Sequence, residues 1–345
     1  MNIAVLCGGL SNERDVSISS GSCVARALSA RGHKVALLDL YLGCAAPFGD
    51  PLELFGRETF APDSAAVGKR FPELSEIRAL RQGDEVRVGE NVLTLCRAAD
   101  VVFLALHGEE GENGKVQALF DLYGVRYTGC GYLGSALAMH KALSKTLFRE
   151  KGVPTPDYLL LRRGETPYRE LGFPCVVKPC SGGSSVGISI VENAEEYARA
   201  LDTAFRYDGQ VLVERYIKGR ELTVGVIGAS ALPVIEIIPK TGFYDYQNKY
   251  QAGATEELCP APIGAEATER AQRLARSVGE ALMLDAYYRI DVLWDTEADV
   301  MYCIEANTLP GMTPTSLIPR MGEAAGIEFG RLCERIIEES LKKYQ

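Results

Sequence analysis

The chain has 345 residues, with 37 lysines and arginines against 46 aspartates and glutamates, which gives a net charge of −9. A surface with this mean charge repels phosphate, so the composition argues against a general binder of nucleic acid or of anionic membranes. The length exceeds what one hydrophobic core usually serves, and we expect two or three domains. The apolar runs are far shorter than the ~20 residues that cross a bilayer, and the first residues lack the basic start of a signal peptide.

The first third of the chain alternates between predicted strands and helices. Strands are predicted at 3–6, 34–40 and 101–106, with helices at 17–31 and after Gly114. This alternation implies right-handed crossovers and a parallel sheet. Residues 41–95 interrupt it with several prolines and weak periodicity, and we interpret them as a long excursion that contains a small hairpin at 85–95.

The remaining two thirds carry more strands, separated by helices. One helix is predicted at 135–150, one at 194–205 and one at 265–283, and a final amphipathic helix contains Phe329, Leu332, Cys333, Ile336 and Leu341. The predicted strands are 175–178, 188–191, 211–215, 222–227, 233–238, 287–294 and 300–306. Ten cysteines are scattered without any CxxC pair, which predicts free thiols in a reducing compartment. With three histidines in the chain, a structural zinc site is not expected.

The strongest local signal is a pair of strands near the C-terminus. Residues two apart in a strand face the same side, so Arg289 shares a face with Asp291, and Glu305 shares one with Asn307. If the two strands form a hairpin, two carboxylates and an amide oxygen converge, which suits a hard cation such as Mg²⁺. The arginine would supply fixed positive charge to a developing oxyanion. An ordinary ion pair on a solvated hairpin is the alternative.

A second signal is Lys178, which precedes the glycine- and serine-rich loop 181–187. Such a loop offers backbone N–H groups and hydroxyls that can fold over phosphate. The GxxxxGK[ST] phosphate loop is absent, and no GxGxxG fingerprint follows the first strand. A flexible hairpin loop without a ligand remains the alternative.

Polar residues also follow two strands of the predicted N-terminal sheet. Glu13 comes after the first strand and His107 after the third, at the carboxyl edge where α/β ligands gather. Glu13 could hold an ammonium group, or it could only complement the dipole of the next helix. The aromatic segment 243–250 is typical of a loop that closes over a site and excludes water, although it could equally be a packed surface loop.

Taken in this order, these segments resemble the D-alanine–D-alanine ligase family of the ATP-grasp superfamily. The matching runs are GGLSNERDVSISSG, HGEEGENGKVQ, GSALAMHK, VVKPCSGGSSVGI, GRELTVGV, GFYDYQNKY, CPAPI, RIDVL and EANTLPGMTPTSLIP. They extend over residues 8–319 and leave out mainly the excursion at 41–95.

The resemblance implies an α/β protein with the three-domain ATP-grasp fold, whose N-terminal parallel-sheet domain precedes the ATP-grasp module. The expected domains are 1–129, 130–214 and 215–345. It also implies a cytoplasmic enzyme, a homodimer, that joins two D-alanines for peptidoglycan through an acylphosphate and releases ADP and phosphate. Nucleic acid and membranes are not expected as partners.

The same resemblance implies ATP as co-substrate and two Mg²⁺ ions, or Mn²⁺ in their place. Asp291, Glu305 and Asn307 would be the metal ligands. The expected ATP-binding residues are Lys141, Lys178, Ser185, Glu214, Arg215, Tyr216, Ile217, Glu221 and Lys249.

It further implies how the amino acids are held. Glu13 would bind the first ammonium group, with Val16 and His107 beside it, and Ser316 with Leu317 would hold the second carboxylate. Arg289 and the backbone N–H of Gly311 would stabilise the oxyanion. Glu13, Ser184 and Tyr250 would form a hydrogen-bonded set that closes the site.

Other functions remain to be weighed. The nearest is a sister ligase that takes D-serine or D-lactate second; Tyr250 and the apolar Leu317 favour D-alanine. A silent nucleotide-binding protein would have lost a metal ligand or a phosphate lysine, and none is missing. A dinucleotide-dependent dehydrogenase is disfavoured by the absent fingerprint. The chain departs from the family pattern at His140, where aspartate is usual, and at Tyr287 and Tyr288, where small residues are usual.

Overall fold

The computed structural model of the chain describes residues 1–44, 49–57, 72–81, 85–165, 171–183, 186–240 and 255–345. The described strands fall into three sheets, one in each successive part of the chain. None of the helices in these ranges is long and apolar enough to cross a membrane.

The N-terminal sheet is parallel, with strand order β2-β1-β3. Its strands are β1 (Asn2–Cys7), β2 (Lys34–Asp39) and β3 (Val101–Leu104). They match the predicted strands, and every residue of β3 is buried, as expected for a strand covered on both faces. The carboxyl ends of β1 and β3 therefore lie side by side, which brings the loops after Cys7 and Leu104 to one edge.

Five α-helices and a short 3-10 helix accompany this sheet in the described residues, and some of them lie within the excursion at 41–95. They are α1 (Arg14–Ala30), α2 (Leu74–Ala79), α3 (Val92–Ala98), α4 (Glu109–Glu112) and α5 (Lys115–Tyr123), with a 3-10 helix at Pro51–Leu54. The predicted hairpin at 85–95 is wrong, since α3 occupies its second half. Val92, Leu95 and Cys96 are buried at i, i+3 and i+4, which is helical spacing.

The predicted helix at 135–150 is two helices, α6 (Tyr132–Met139) and α7 (Lys141–Glu150). His140 separates them with φ −92° and ψ 90°, outside the helical region. Its side chain caps α7, because Nδ1 accepts a hydrogen bond from the backbone N–H of Leu143 at 3.3 Å. The break places Lys141 at the first turn of a new helix.

The central sheet is antiparallel, in the order β4-β7-β5-β6. Its strands are β4 (Tyr158–Arg162), β5 (Cys175–Pro179), β6 (Ser189–Val191) and β7 (Gln210–Arg215), and α8 (Ala194–Ala204) packs against it. The predicted start of α8 is confirmed: the Asn193 side chain accepts a hydrogen bond from the N–H of Glu196.

The C-terminal sheet has the order β11-β10-β8-β12-β13, with β9 beside β8. Its strands are β8 (Arg220–Ile227), β9 (Ser230–Ala231), β10 (Ile235–Pro239), β11 (Thr255–Leu258), β12 (Tyr287–Asp295) and β13 (Val300–Asn307). Three helices accompany them, α9 (Gly264–Ala281), α10 (Leu317–Ala324) and α11 (Phe329–Leu341), and a 3-10 turn ends the chain at Lys342–Tyr344.

The last helix, α11, packs against the N-terminal sheet, although the two are far apart in sequence. Leu332, Cys333 and Ile336 of α11 belong to the same buried cluster as the strands of the N-terminal sheet. Next to them, the hydroxyl of Ser340 accepts a hydrogen bond from the N–H of Gly129 at 3.0 Å, and the Tyr344 hydroxyl accepts one from the N–H of Tyr127 at 3.0 Å. The core around the first sheet therefore includes the end of the chain.

All ten cysteines lie within the described residues, and all are free thiols, as the scattered spacing predicts. Seven of them are buried. Burial raises the pKa of thiols such as Cys7 and Cys96, so these side chains act as small apolar core residues.

Candidate active site

The loop after β1 brings Glu13 to the carboxyl edge of the N-terminal sheet. Its shape is fixed by Arg14, which donates to the carbonyl of Gly9 at 2.9 Å and pairs with Asp39 at the end of β2. Gly8 has φ +71°, and a Cβ there would lie 2.1 Å from the Asp39 carboxylate. Only glycine fits at this position. The turn therefore holds Glu13 at a fixed place beside the third strand.

His107 follows β3 and connects this edge to a turn from the far end of the chain. Its Nδ1 lies 2.9 Å from the carbonyl oxygen of Leu309, which can only accept, so Nδ1 carries the proton. Nε2 then accepts from the hydroxyl of Ser20 at 3.0 Å. Burial lowers the pKa of His107 to about 4. At neutral pH the ring is uncharged and holds the turn after β13 in place.

The hairpin of β12 and β13 has the predicted geometry. Arg289 pairs with Asn307 and Asp291 with Glu305 in the antiparallel register, so all four side chains lie on one face. Arg289 donates to Asp291 through Nε at 2.9 Å and a terminal nitrogen at 2.8 Å. Asn307 Nδ2 donates to the same carboxylate at 3.0 Å. The two carboxylates and the amide therefore share one face, with the amide nitrogen of Asn307 directed at Asp291.

A small pocket with a cavity volume of about 90 Å³ lies where the N-terminal loops meet this hairpin. Its walls come from six separate stretches of the chain. The lining residues are Glu13, His107, Glu112, Gly183, Glu257, Arg289, Asn307, Leu309, Pro310, Gly311, Thr313, Thr315, Ser316 and Leu317. One pocket therefore presents carboxylates, a guanidinium group and hydroxyls together, which is suited to a small zwitterion.

Glu112 faces the same pocket from α4. Its carboxylate accepts a hydrogen bond from the N–H of Gly108 at 2.6 Å. Burial, reinforced by the nearby negative charge of Glu13, raises the pKa of Glu112 to about 8. A carboxyl group that holds its proton near neutral pH is common at sites of acid and base chemistry.

The turn at 309–316 forms the opposite wall. The Ser316 hydroxyl accepts a hydrogen bond from the N–H of Thr313 at 3.0 Å, and Ser316 is the N-cap residue directly before α10. A Cβ at Gly311 would lie 2.7 Å from that hydroxyl. The turn is therefore tight, and it presents backbone close to the pocket.

A larger cleft, of about 440 Å³, lies between the central sheet and the C-terminal sheet. Branched apolar residues from both sheets form its walls, among them Val176, Ile188, Ile190, Ile237, Leu293 and Ile304. At one end are Lys178, Asp291 and Glu305, and along the connecting segment are 214–217 and Glu221. A slot with apolar walls and a charged end is suited to a flat heterocycle that carries phosphates.

A third cavity of about 30 Å³, here called the passage, borders both of the others. It is lined by Lys141, Gly182, Glu305 and Asn307, and it shares Glu305 with the cleft and Asn307 with the small pocket. Lys141 Nζ donates to the carbonyl of Gly182 at 2.6 Å, at the start of the glycine- and serine-rich loop. Burial lowers the pKa of this lysine. A cation thus lies between the charged end of the cleft and the small pocket.

Two family models match the chain. One, for the N-terminus of D-Ala–D-Ala ligases, matches residues 2–130, and the other, for the C-terminus of the same enzymes, matches residues 147–338. The chain belongs to the D-alanine–D-alanine ligase family.

Individual relatives agree with this family. A D-alanine–D-alanine ligase of Pediococcus pentosaceus is 42% identical over all of this chain and 99% of its own length. A crystal structure of a D-alanine–D-alanine ligase from Bacillus anthracis superposes with a TM-score of 0.76 at 32% identity, covering 99% of this chain and 98% of that one. A structure of the Bacillus anthracis enzyme complexed with ATP has the same TM-score and coverage at 30% identity. The predicted fold class is confirmed.

Most of the site residues expected from the ligase family are brought together. The small pocket contains Glu13, His107, Arg289, Asn307, Gly311, Ser316 and Leu317. The cleft contains Lys178, Glu214, Arg215, Tyr216, Ile217, Glu221, Asp291 and Glu305. Val16 is buried in α1 and does not line either cavity. Ser184, Ser185, Lys249, Tyr250 and the segment 243–250 lie outside the described residues.

Several pocket residues were not predicted from the sequence. Glu112 lies within the acidic run after His107, and its place in that run was the available signal. Thr313 and Thr315 lie between the predicted Gly311 and Ser316, and that position was the available signal. Glu257 carried none, because the predicted residues of the pocket are distant from it in sequence. Lys145 was also missed, although it is four residues from Lys141 on a helix and so shares its face.

Proposed function

We propose that the chain joins two D-alanine molecules into D-alanyl-D-alanine, with ATP converted to ADP and phosphate, as a step in peptidoglycan synthesis. The observation that carries this proposal is the junction of the two cavities, where Arg289, Asp291, Glu305 and Asn307 stand on one face of a hairpin. One cavity suits a nucleotide and the other a small zwitterion. The reacting groups would meet between them.

ATP would lie in the large cleft. The apolar walls from both sheets fit the purine, 214–217 would line the adenine pocket, and Glu221 would accept from the ribose hydroxyls. Lys178 and Lys141 would face the phosphates, because one lies at the charged end of the cleft and the other in the passage beyond it. Ser185 and Lys249 would complete the phosphate contacts.

The residues present fit Mg²⁺, because Asp291, Glu305 and Asn307 offer hard oxygen donors on adjacent strands. We infer two such ions, held by these three side chains and the nucleotide, with Mn²⁺ as a substitute. When bound, the ions would neutralise phosphate charge and favour transfer of the terminal phosphoryl group.

The amino acids would occupy the small pocket. Glu13 would hold the ammonium group of the first D-alanine, with His107 keeping the wall behind it in place. A carboxylate does not react with amines, so its oxygen first takes the γ-phosphoryl group while the bond to ADP breaks. The amine of the second D-alanine then attacks the acyl carbon, and phosphate leaves.

Negative charge would gather on one oxygen during this attack. Arg289 and the backbone N–H of Gly311 would stabilise it, and the fact that both residues line the pocket supports this assignment. Ser316 and Leu317 would hold the second carboxylate and the adjoining methyl group. Because acylphosphates hydrolyse, water must be excluded, and we assign this closure to Tyr250 and Ser184 together with Glu13.

The test is phosphate release by the purified chain with ATP, Mg²⁺ and D-alanine, with the dipeptide identified by mass spectrometry. We expect release to depend on D-alanine and to be absent with L-alanine. Running D-serine and D-lactate as second substrates distinguishes the sister ligases. Release that D-alanine does not stimulate, or a higher kcat/KM with D-serine or D-lactate, would overturn the assignment.

We also infer domains at 1–129, 130–214 and 215–345, a homodimer and a cytoplasmic location. The location is supported by ten free thiols, which persist in a reducing compartment, and by ATP as the proposed co-substrate. Size-exclusion chromatography with light scattering tests the dimer.

A further inference from the structure

One buried carboxylate holds two lysines at the charged end of the cleft. Glu214 Oε1 lies 2.9 Å from Nζ of Lys178 and 3.0 Å from Nζ of Lys145. The three side chains are 4%, 7% and 1% exposed, respectively. Glu214 and Lys178 line the cleft, whereas Lys145 lies behind them and does not. The proposed reaction has assigned no task to Lys145.

The charges of this cluster do not cancel. Two ammonium groups face one carboxylate, so the three side chains together carry a net charge of +1 while both lysines are protonated. Burial lowers the pKa of Lys145, and the charge of Glu214 opposes this. The cluster thus offsets part of the negative charge of Asp291 and Glu305 at the same end of the cleft. Burial raises the pKa of Glu214, but the two lysines outweigh it and hold that pKa below its usual range. With Lys145 removed, Lys178 and Glu214 would form a neutral pair in a setting where charges interact strongly. A neutral pair attracts a polyphosphate far less than an ammonium group does.

Lys145 is itself fixed from behind. Its Nζ donates to Thr155 Oγ1 at 2.6 Å, and that hydroxyl donates to the carbonyl oxygen of Cys303 at 2.9 Å. Cys303 is in β13, two residues before Glu305. The chain of hydrogen bonds therefore runs from α7 to the C-terminal sheet, and it keeps the ammonium group of Lys145 directed at Glu214.

We propose that Lys145 is a positioning residue for the nucleotide: it neutralises the Glu214 carboxylate so that Lys178 keeps its charge for the phosphates of ATP. This inference rests on the proposed function, because it assumes a nucleotide in the cleft. In this proposal Lys145 touches no substrate itself and acts through Glu214 and Lys178, which line the nucleotide cleft.

The first test is Lys145→Met, which keeps the length of the side chain and removes its charge. We expect the Kd for ADP, measured by calorimetry, and the KM for ATP to rise at least tenfold, while the KM for D-alanine changes less than threefold. Lys151→Met, at the exposed end of the same helix, is the matched control and should leave all three constants unchanged.

The second test separates charge from packing. If Lys145 acts through the carboxylate, adding Glu214→Gln to Lys145→Met releases Lys178, and ADP should bind at least threefold more tightly than to Lys145→Met alone. A purely structural role predicts that the second change weakens binding further. Thr155→Val should lower the melting temperature but leave the Kd for ADP within threefold, because it removes no charge.

Lys145→Gln provides a second neutral variant if Lys145→Met does not fold, and we expect the same weakening. An unchanged Kd for ADP in a folded neutral variant would overturn the inference. Wild-type protein that binds ADP but shows no D-alanine-dependent phosphate release would overturn the proposed reaction alone, since the comparison of ADP affinities stands without catalysis.

Discussion

At the scale of single residues, His107 shows how one uncharged ring can connect two distant parts of the site. It donates to Leu309, 202 residues away, and accepts from Ser20. A protonated ring would lose that acceptor and would place a charge in a buried setting. The position of the turn at 309–316 therefore depends on the protonation of His107.

This dependence predicts a loss of stability in mild acid. The pKa of His107 is about 4 in the folded chain against 6.5 ordinarily, so between these values the unfolded state binds more protons. Stability is then lost as pH falls from about 6.5 to 4, by at most roughly 3 kcal/mol. His107→Gln keeps a donor and an acceptor but does not titrate. We expect its melting temperature to fall less than that of the wild type between pH 7 and pH 5. An equal fall in the two proteins would contradict this expectation.

The two tyrosines before Arg289 are accommodated by small residues behind them. A Cβ at Gly279 of α9 would lie 1.9 Å from the hydroxyl of Tyr288. Tyr287 is fully buried beside Gly129. Glycines elsewhere thus make room for the two tyrosines, and the hairpin keeps the pairing of Arg289 with Asn307 and of Asp291 with Glu305.

Gly279→Ala should therefore destabilise the chain, although alanine favours a helix over glycine by about 1 kcal/mol. The clash with Tyr288 should outweigh this gain and leave a net loss of about 2 kcal/mol in unfolding free energy. In a Tyr288→Leu background the same change should be neutral or stabilising. Gly209→Ala, where no atom lies within 4 Å, is the control for denaturant unfolding. An equal loss in both backgrounds would rule out the clash.

The residue types of the site could be predicted, but most of their contacts could not. Arg289, Asp291, Glu305 and Asn307 lie on strands of regular alternation, so their shared face follows from local rules. Nothing local indicates that His107 meets Leu309, because that contact depends on how the N-terminal sheet meets the C-terminal turn.

At the scale of elements, the break between α6 and α7 is the clearest departure from a pattern of uninterrupted helix. Residues 135–150 are apolar at helical spacing, which predicts one helix. His140 ends it by accepting a hydrogen bond from Leu143, while its ring lies 3.2 Å from Gln210 and 3.3 Å from the sulfur of Cys180. Side chains that cap helices compete with the backbone in this way.

His140→Ala should remove the cap and cost about 1 kcal/mol in unfolding free energy. His140→Asp should retain most of the stability, because aspartate is a good cap and complements the helix dipole. Denaturant unfolding of the three proteins measures both effects. Equal stability of the alanine variant and the wild type would show that the cap contributes nothing.

The described parts of the excursion support the loop that carries Glu13. Ile77 of α2 and Tyr41 are buried with Leu10, three residues before Glu13. Arg87 lies 3.2 Å from the carboxylate of Glu110, in the short helix α4 after His107. The excursion thus packs behind both loops at the edge of the sheet.

Ile77→Ala should loosen that packing. We expect a loss of about 2–4 kcal/mol from the cavity and a several-fold rise in the KM for D-alanine, with the KM for ATP unchanged because the cleft is remote. Leu80→Ala, one turn later and 62% exposed, is the matched control. A rise in both Michaelis constants would indicate general unfolding instead.

Strands with continuous apolar runs could be predicted closely, whereas short or edge elements could not. β4 is an edge strand with exposed residues, and α10 contains Pro319, so neither gives a clear pattern. α3 follows an unusual start, since Asn91 has φ +62°, and only its buried face identifies it. Burial, which decides these elements, is a property of the whole fold.

At the scale of the whole molecule, the cleft between two sheets means that a nucleotide would contact both at once. A ligand that binds only the folded state at 100 times its Kd stabilises it by about 2.7 kcal/mol. We therefore expect ADP with Mg²⁺ to raise the melting temperature of the wild type by several degrees.

Glu305→Ala should abolish most of that increase. The carboxylate faces both the cleft and the passage, and its loss removes one of the two acidic oxygen donors. The melting temperature without nucleotide should change little, since Glu305 is only partly buried. Asp299→Ala, in the turn of the same hairpin, is the control. If ADP with Mg²⁺ raised the melting temperature of Glu305→Ala as much as that of the wild type, the proposed role of Glu305 as a metal ligand would be wrong.

The attachment of α11 to the N-terminal sheet has a consequence for how the chain is made. During synthesis the first sheet leaves the ribosome long before Leu332, Cys333 and Ile336, which complete its core. Until then part of that core is exposed, and a nascent chain in this state is prone to aggregation. The N-terminal third therefore reaches its final stability only when α11 has been added.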